Sequence, residues 1–139
     1  METHAVTRQR LDGFTAALAG AGLAFDPDQF VPTLFDAQTA TDAFARLFAD
    51  KEDVGGVFIN SLNVLEGLIN HIRENSDVPG RIAYGVFDYH PIMGCMNLNL
   101  LSVRQDAERM MRTAFDLYLE NGEGAQGAII HIPHQIISA

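Results

Sequence analysis

The sequence contains a single cysteine, Cys95, and few basic residues. One thiol excludes an internal disulfide and a cysteine-based zinc cluster, and it is consistent with a reducing compartment. Nine Lys and Arg stand against eighteen Asp and Glu, which gives a formal charge of −9. This sign is wrong for a surface that binds phosphates, so we expect that the chain by itself does not bind nucleic acid.

Long apolar runs are also missing. No segment approaches the roughly 20 residues that a membrane span needs, and the start, Met1-Glu2-Thr3-His4, lacks a basic region followed by an apolar one. We therefore expect no membrane partner and a cytoplasmic location. What the chain does have is 47% apolar residues in a length of 139, enough to bury the core of one globular domain.

Helical and strand patterns alternate along the chain with short breaks, which predicts an α/β fold with a mostly parallel sheet. A helix is predicted from about Arg8 to the stop signal Gly20-Ala21-Gly22. The other predicted helices begin after Asp36 or Thr39 and after Asn60-Ser61, and the latter ends at the turn Asp77-Val78-Pro79-Gly80. The predicted strands are Val31 to Phe35, Val57 to Ile59, Ile82 to Phe87 and Ala128 to Ile137, with an irregular stretch from Asp88 to about Asn99.

A further helix is predicted from the run Ser102-Val103-Arg104-Gln105, which has the Ser-x-x-Gln form of a capping box. The helix should extend to Glu120, and its wide apolar stripe must be buried against something. Pro133 is expected to place the final strand near an edge of the sheet.

Polar and aromatic side chains follow three of the predicted strands. Ligands of open α/β sheets bind beyond the carboxyl ends of the strands, where loops and helix starts converge. The segments at these positions are Phe35-Asp36, Asn60-Ser61 and Phe87-Asp88-Tyr89-His90. An aromatic face, an amide and a carboxylate together can hold a polyhydroxylated ligand.

Four segments, in this order, resemble the effector-binding region of the lactose-repressor and galactose-repressor family of bacterial transcription regulators. They are similar to the family's Arg-x-x-Gly-aromatic helix, to its apolar strand ending in Asn, to its Val-Pro … Gly-aromatic-Asp run and to its Thr-Thr-Val-Arg-Gln entry to a long helix. The matching residues are Arg10-Leu11-Asp12-Gly13-Phe14, Val57-Phe58-Ile59-Asn60, Val78-Pro79-Gly80-Arg81-Ile82 with Val86-Phe87-Asp88, and Leu101-Ser102-Val103-Arg104-Gln105.

The resemblance implies a Rossmann-like, three-layer lobe of the periplasmic-binding-protein-like type I fold, in an incomplete form. Residues 1–139 would be a fragment of an effector-binding domain: most of the carboxyl-terminal lobe, a crossover helix at 105–120 and a final strand at 128–137. The family's helix-turn-helix segment is absent, so operator DNA would be reached only through a domain that this chain lacks. The implied function is a ligand-sensing, homodimeric regulator that binds a sugar, a sugar phosphate or a related metabolite in a cleft between lobes. The alternative is a periplasmic-type sugar-binding protein of a transport system.

By resemblance, the effector-contacting positions are Arg10, Phe35, Asn60 and Asp88, with Ser61 and His90 as further candidates. Three of them also have a simpler interpretation: Arg10 as a solvated helix cation, Phe35 as a core aromatic and Asn60 as a helix cap alone. Asp88 has the fewest structural reasons to follow an apolar strand. Arg10 suits a free sugar and a sugar phosphate equally, so both remain open.

No enzyme activity, cofactor or metal is expected. The i,i+2 pair Asp88 and His90 fixes no metal geometry, and His131 and His134 should point to opposite faces of a strand. Cys95 has no cationic neighbour in sequence that would mark it as a nucleophile.

Overall fold

The computed structural model describes residues 5–50, 54–75, 82–122 and 129–138. In chain order the elements are α1 (Ala5–Gly20), a 3-10 turn (Pro27–Gln29), α2 (Ala37–Asp50), β1 (Gly56–Ile59), α3 (Leu62–Glu74), β2 (Ala83–Phe87), a second 3-10 turn (Pro91–Cys95), β3 (Asn99–Arg104), α4 (Ala107–Asn121) and β4 (Gln135–Ser138). The sheet order is β1-β2-β3-β4, with β1, β2 and β3 parallel and β4 antiparallel to β3. The predicted α/β fold with a mostly parallel sheet is confirmed.

The sheet carries helices on both faces because successive strand residues point in opposite directions. On one face, α2 and α3 cover a core to which the sheet contributes Ile59, Val86 and Leu100. On the other face, the ring of Phe58 stacks on Phe14 of α1 at 5.3 Å between centroids. The result is the predicted three-layer arrangement of α1, sheet, and α2 with α3.

Local signals place the helix ends correctly. Gly22 adopts φ +74°, and the backbone N–H of Leu23 bonds the carbonyl of Leu18, which closes α1 with the hydrogen bonds of a Schellman motif. The Asp36 carboxylate accepts from the backbone N–H of Thr39 at 2.7 Å at the start of α2, and this bond lowers the pKa of Asp36. Ser61 caps α3.

The predicted strand from Val31 to Phe35 is wrong. This segment has no regular structure, and a turn at Leu34 and Phe35 holds both residues in the left-handed region, at φ 53° and 57°. Those angles are incompatible with an extended strand, and Pro32 has no N–H to donate to a ladder.

The predicted capping box from Ser102 to Gln105 is also wrong. Ser102 lies inside β3, paired with Val86 on one side and Ile137 on the other, and its side chain is buried. The helix begins instead at Ala107, where the Asp106 carboxylate accepts from the backbone N–H of Arg109 at 2.9 Å. A ladder on both sides satisfies more backbone groups than a local cap, so the strand prevails over the motif.

The last predicted strand is shorter than expected. It is reduced to Gln135–Ser138, at the predicted edge of the sheet, and residues 129–134, including Pro133, precede it without regular structure. Its predicted first residue, Ala128, lies outside the described residues, as does the predicted turn at 77–80.

Candidate functional site

Helix α1 brings Arg10 to the carboxyl edge of the sheet. Thr7, Arg10 and Phe14 share one face of α1 because they are three and four residues apart. Phe14 anchors that face to β1 through Phe58, and Phe25 packs edge-on against Phe14 at 6.2 Å. The ring stack places the Arg10 side chain above the ends of β1 and β2.

The guanidinium of Arg10 is held from two directions. Its Nη1 donates to the backbone oxygen of Asn60 at 2.6 Å and lies 3.5 Å from the amide oxygen of Asn60. Its carbon Cζ lies 3.6 Å from the centroid of the Phe87 ring, a cation–π contact. Burial lowers the pKa of Arg10, and the nearby carboxylate of Asp88 opposes that shift.

Asn60 is itself oriented by a buried residue of α1. Its amide nitrogen donates to the hydroxyl of Thr7 at 3.4 Å, while its amide oxygen faces Arg10. The amide therefore joins α1 to the end of β1. This is a role in the site beyond the helix cap, which Ser61 supplies by accepting from the backbone N–H of Val64 at 3.4 Å.

Asp88 occupies the turn directly after β2 in the left-handed conformation, at φ 77°. Its backbone N–H bonds the carbonyl of Val103, and its side-chain oxygen Oδ1 accepts from the amide of Gln105. A residue other than glycine in this conformation is uncommon, and such residues gather at binding sites. The turn brings the carboxylate near enough to Arg10 to act on its charge.

The remaining predicted residues lie around this centre. Phe35 sits beside the first turn of α3, where its carbonyl accepts from the side chain of Asn63 at 3.0 Å. His90 is exposed and caps the 3-10 turn Pro91–Cys95, with Nδ1 accepting from Ile92 at 3.3 Å. The structure thus brings Arg10, Asn60 and Asp88 together and gives Ser61 and His90 capping roles.

Sequence reasoning missed Thr7 and Gln105 as members of the site. Gln105 was assigned to a helix start, although it directly follows β3 and is therefore at the same sheet edge as Asp88. Recognising 99–104 as a strand would have revealed it, because the residue after a parallel strand lies at the ligand-binding edge. Thr7 carries no comparable signal.

A cavity of about 330 Å³ adjoins the site. It shares Phe87 and Gln105 with the site and is lined in addition by Val103, Asp106, Met110, Ile130, His131, Ile132 and His134. The prediction that His131 and His134 point to opposite faces of a strand is wrong, because neither lies in a strand and both line this cavity. In the described ranges, no group of three or more His, Cys, Asp or Glu residues is placed to hold a metal ion.

The groups of this arrangement are of the types that can hydrogen-bond hydroxyl groups. A guanidinium and an amide donate, a carboxylate accepts, and aromatic and aliphatic surface lies next to them.

Among the described helices, none is long and apolar enough to cross a membrane.

The class of protein follows from comparison with solved structures. A LacI-family transcriptional regulator from Sanguibacter keddieii superposes on 99% of this chain with a TM-score of 0.82 and 25% identity, and the match covers 54% of that chain. A LacI-family regulator from Enterococcus faecium with bound ribose matches 93% of this chain at a TM-score of 0.73 and 21% identity, over 48% of its own length. The fold is that of the effector-binding domains of such regulators, which is periplasmic-binding-protein-like.

The sequence points to the same family. The sucrose operon repressor of Klebsiella pneumoniae is 26% identical over 112 residues, which are 80% of this chain and 34% of the repressor. No protein-family profile matches the chain. The resemblance to the effector-binding region of the lactose-repressor and galactose-repressor family is confirmed, and the chain spans about a third of the repressor and about half of the structurally similar regulators.

Proposed function

We propose that this chain is the ligand-sensing part of a transcription regulator of the lactose-repressor type and that a small sugar is its effector. The observation that carries the proposal is the convergence of Arg10, Asn60 and Asp88 from three separate elements at one edge of the sheet. The bound ribose of the Enterococcus faecium regulator and the name of the sucrose operon repressor support a sugar.

In this proposal the effector acts by population shift. A sugar bound at the edge of this lobe would favour one arrangement of two lobes, and the favoured arrangement would change the operator affinity of a DNA-binding domain. The chain would contribute the carboxyl-terminal lobe, with α4 and residues 129–138 as crossover and return segments. A regulator of this kind is not an enzyme, works in the cytoplasm and pairs as a homodimer.

A thermal-shift screen of free sugars, sugar phosphates and nucleosides tests the proposal, because a ligand that binds only the folded state raises the melting temperature. We expect at least one sugar or sugar phosphate to raise the Tm of the purified protein. Arg10→Ala should abolish that rise. Arg8→Ala should preserve the rise, because this substitution removes the same charge from an exposed position of the same helix.

Two outcomes would contradict the proposal. One is a rise in Tm that only nucleosides produce, which would change the class of ligand. The other is a sugar-induced rise that survives Arg10→Ala, which would place the ligand elsewhere on the protein.

A further inference from the structure

We infer that the site selects an uncharged polyhydroxy compound and rejects the phosphorylated or carboxylated form of the same compound. The inference rests on the proposed function and narrows its ligand class. It concerns a choice that the sequence leaves open, because an isolated arginine serves a hydroxyl and a phosphate equally well.

The guanidinium of Arg10 is already engaged within the protein. Asn60 accepts from Nη1, Phe87 covers one face of the guanidinium, and Asp88 lies close enough for its carboxylate to act on the charge. A phosphate approaching Arg10 would meet the like charge of Asp88 at the same place. A neutral ligand meets no such repulsion.

The pairing of donor and acceptor also matches hydroxyl chemistry. A sugar hydroxyl donates one hydrogen bond and accepts others, so it can bond a guanidinium and a carboxylate side by side. A phosphate dianion only accepts, and it would leave Asp88 facing an anion without a proton between them. Gln105 donates to Oδ1 of Asp88 and so orients the carboxylate at this edge of the sheet.

The cavity next to the site brings a carboxylate close to the candidate ligand position. Among the residues that the structure describes, its lining includes Asp106 and no Lys or Arg. Asp106 caps α4, where its carboxylate accepts from the backbone N–H of Arg109 at 2.9 Å, and it also lines the cavity. Of the described lining residues, only His131 and His134 carry imidazoles, and none carries an ammonium or guanidinium group.

Two other described arginines, Arg104 and Arg112, do not line the cavity. Arg104 follows Val103 in β3 and therefore lies on the opposite face of the sheet from Phe87, where its guanidinium packs over Tyr89 at 5.7 Å. On α4, Arg112 pairs with Glu108 at 2.8 Å in an exposed salt bridge. Neither contributes charge to the wall of the cavity.

The test compares matched pairs of ligands by isothermal titration calorimetry, for example fructose with fructose 6-phosphate and ribose with ribose 5-phosphate. Measurements are made near pH 8, where imidazole carries little positive charge. We expect the free sugar of the binding pair to bind at least tenfold more tightly than its phosphate.

Asp88→Asn tests the effect of the charge on binding without a change of shape. Asparagine keeps the size of the side chain and tolerates the left-handed backbone of position 88. We expect this variant to bind the free sugar more weakly and the sugar phosphate more tightly than the wild type does. The ratio of the free-sugar affinity to the phosphate affinity should therefore fall. Asp116→Asn makes the same charge change on the exposed surface of α4 and should leave both affinities as they are.

A phosphate that binds as tightly as the free sugar, or an Asp88→Asn variant with an unchanged ratio, would overturn the inference and leave the proposed function standing. If no sugar and no sugar phosphate of the thermal-shift screen binds, the proposed function itself fails, and the inference fails with it. The two failures are therefore distinguishable.

Discussion

The guanidinium of Arg10 lies over the ring of Phe87, with its carbon Cζ 3.6 Å from the ring centroid. The contact joins α1 to Phe87, the last residue of β2, which immediately precedes Asp88. Phe87 also lines the adjoining cavity, so a single ring both orients the cation and forms part of the cavity wall. The position of Arg10 therefore depends on the packing of an aromatic residue that makes no hydrogen bond to it.

Replacing Phe87 should therefore weaken effector binding without unfolding the protein. We expect Phe87→Leu to reduce affinity by about 1–2 kcal/mol, the scale of a partly desolvated cation–π contact. Calorimetry measures the change, and Phe115→Leu is the control because Phe115 is exposed on α4. Equal affinities for the wild type and Phe87→Leu would show that Arg10 is positioned by Asn60 alone.

Asp88 and Phe35 should differ in their contribution to binding. Asp88→Ala is expected to cost roughly 2–4 kcal/mol, because it leaves ligand hydroxyls without a charged partner. Phe35→Ala should cost less, about 1–3 kcal/mol, since only ring stacking and apolar burial are lost. Calorimetry on both variants, with circular dichroism to confirm folding, checks the order. A larger loss for Phe35→Ala would make the ring the main determinant of recognition.

Gly67 in α3 permits the close approach of α2. A Cβ atom at this position would lie 2.4 Å from the Cβ of Ala40 and 2.8 Å from the carbonyl oxygen of Ala37. Gly67→Ala should lower the free energy of unfolding by about 1–3 kcal/mol, because the two helices must separate.

The control for this prediction is Gly13→Ala in α1, where a Cβ would meet nothing within 4 Å. That change should raise the free energy of unfolding by about 0.5–1 kcal/mol through helix propensity alone. Urea unfolding measures both variants. A Gly67→Ala protein as stable as the wild type would mean that α2 and α3 adjust without cost.

Tyr84 makes the stability of the fold sensitive to alkaline pH. Its side chain is buried, its hydroxyl has no hydrogen-bond partner among the described residues, and burial raises its pKa to about 12. Because the folded state disfavours the phenolate, the stabilisation is complete below the unfolded pKa, about 10. It is lost as the pH rises from about 10 to about 12.

Tyr84→Phe should remove this loss and leave stability at neutral pH unchanged or slightly higher, because an unpaired buried hydroxyl contributes nothing. Tyr118→Phe, at an exposed position of α4, should behave as the wild type does. Urea unfolding from neutral pH to about pH 11 checks this prediction. The same alkaline loss in Tyr84→Phe would assign it to another group.

Helix α4 exposes a continuous apolar stripe. Met111, Phe115 and Leu119, spaced four residues apart, are 72%, 61% and 64% exposed. We expect the isolated 139-residue chain to self-associate through this stripe, because association would remove these exposed apolar side chains from water. Met111→Glu should shift analytical ultracentrifugation toward the monomer, whereas Ala16→Glu, on the exposed side of α1, should not. A wild-type chain that sediments as a clean monomer would contradict this prediction.

The candidate site was only partly predictable. The polar residues after β1 and β2, Asn60 and Asp88, were identified because position relative to a parallel strand is visible in a sequence. Gln105 was missed because a local capping pattern at 102–105 overlaps the strand pattern at 99–104. The outcome depends on whether neighbouring strands are available, and β2 pairs with 99–103 while β4 pairs with 101–104.

Features governed by near neighbours were determined by the sequence itself. The stop signal at Gly20-Ala21-Gly22, the caps at Asp36 and Ser61 and the apolar period of α3 all involve residues within a few positions of one another, so each can be recognised from the local sequence. The tertiary structure alone decided three others: the turn at Leu34 and Phe35, the cavity shared by His131 and His134, and the stacking of Arg10 on Phe87. These depend on contacts between elements, or on the choice between a strand and a turn, and no local preference specifies the distance between two segments far apart in the chain.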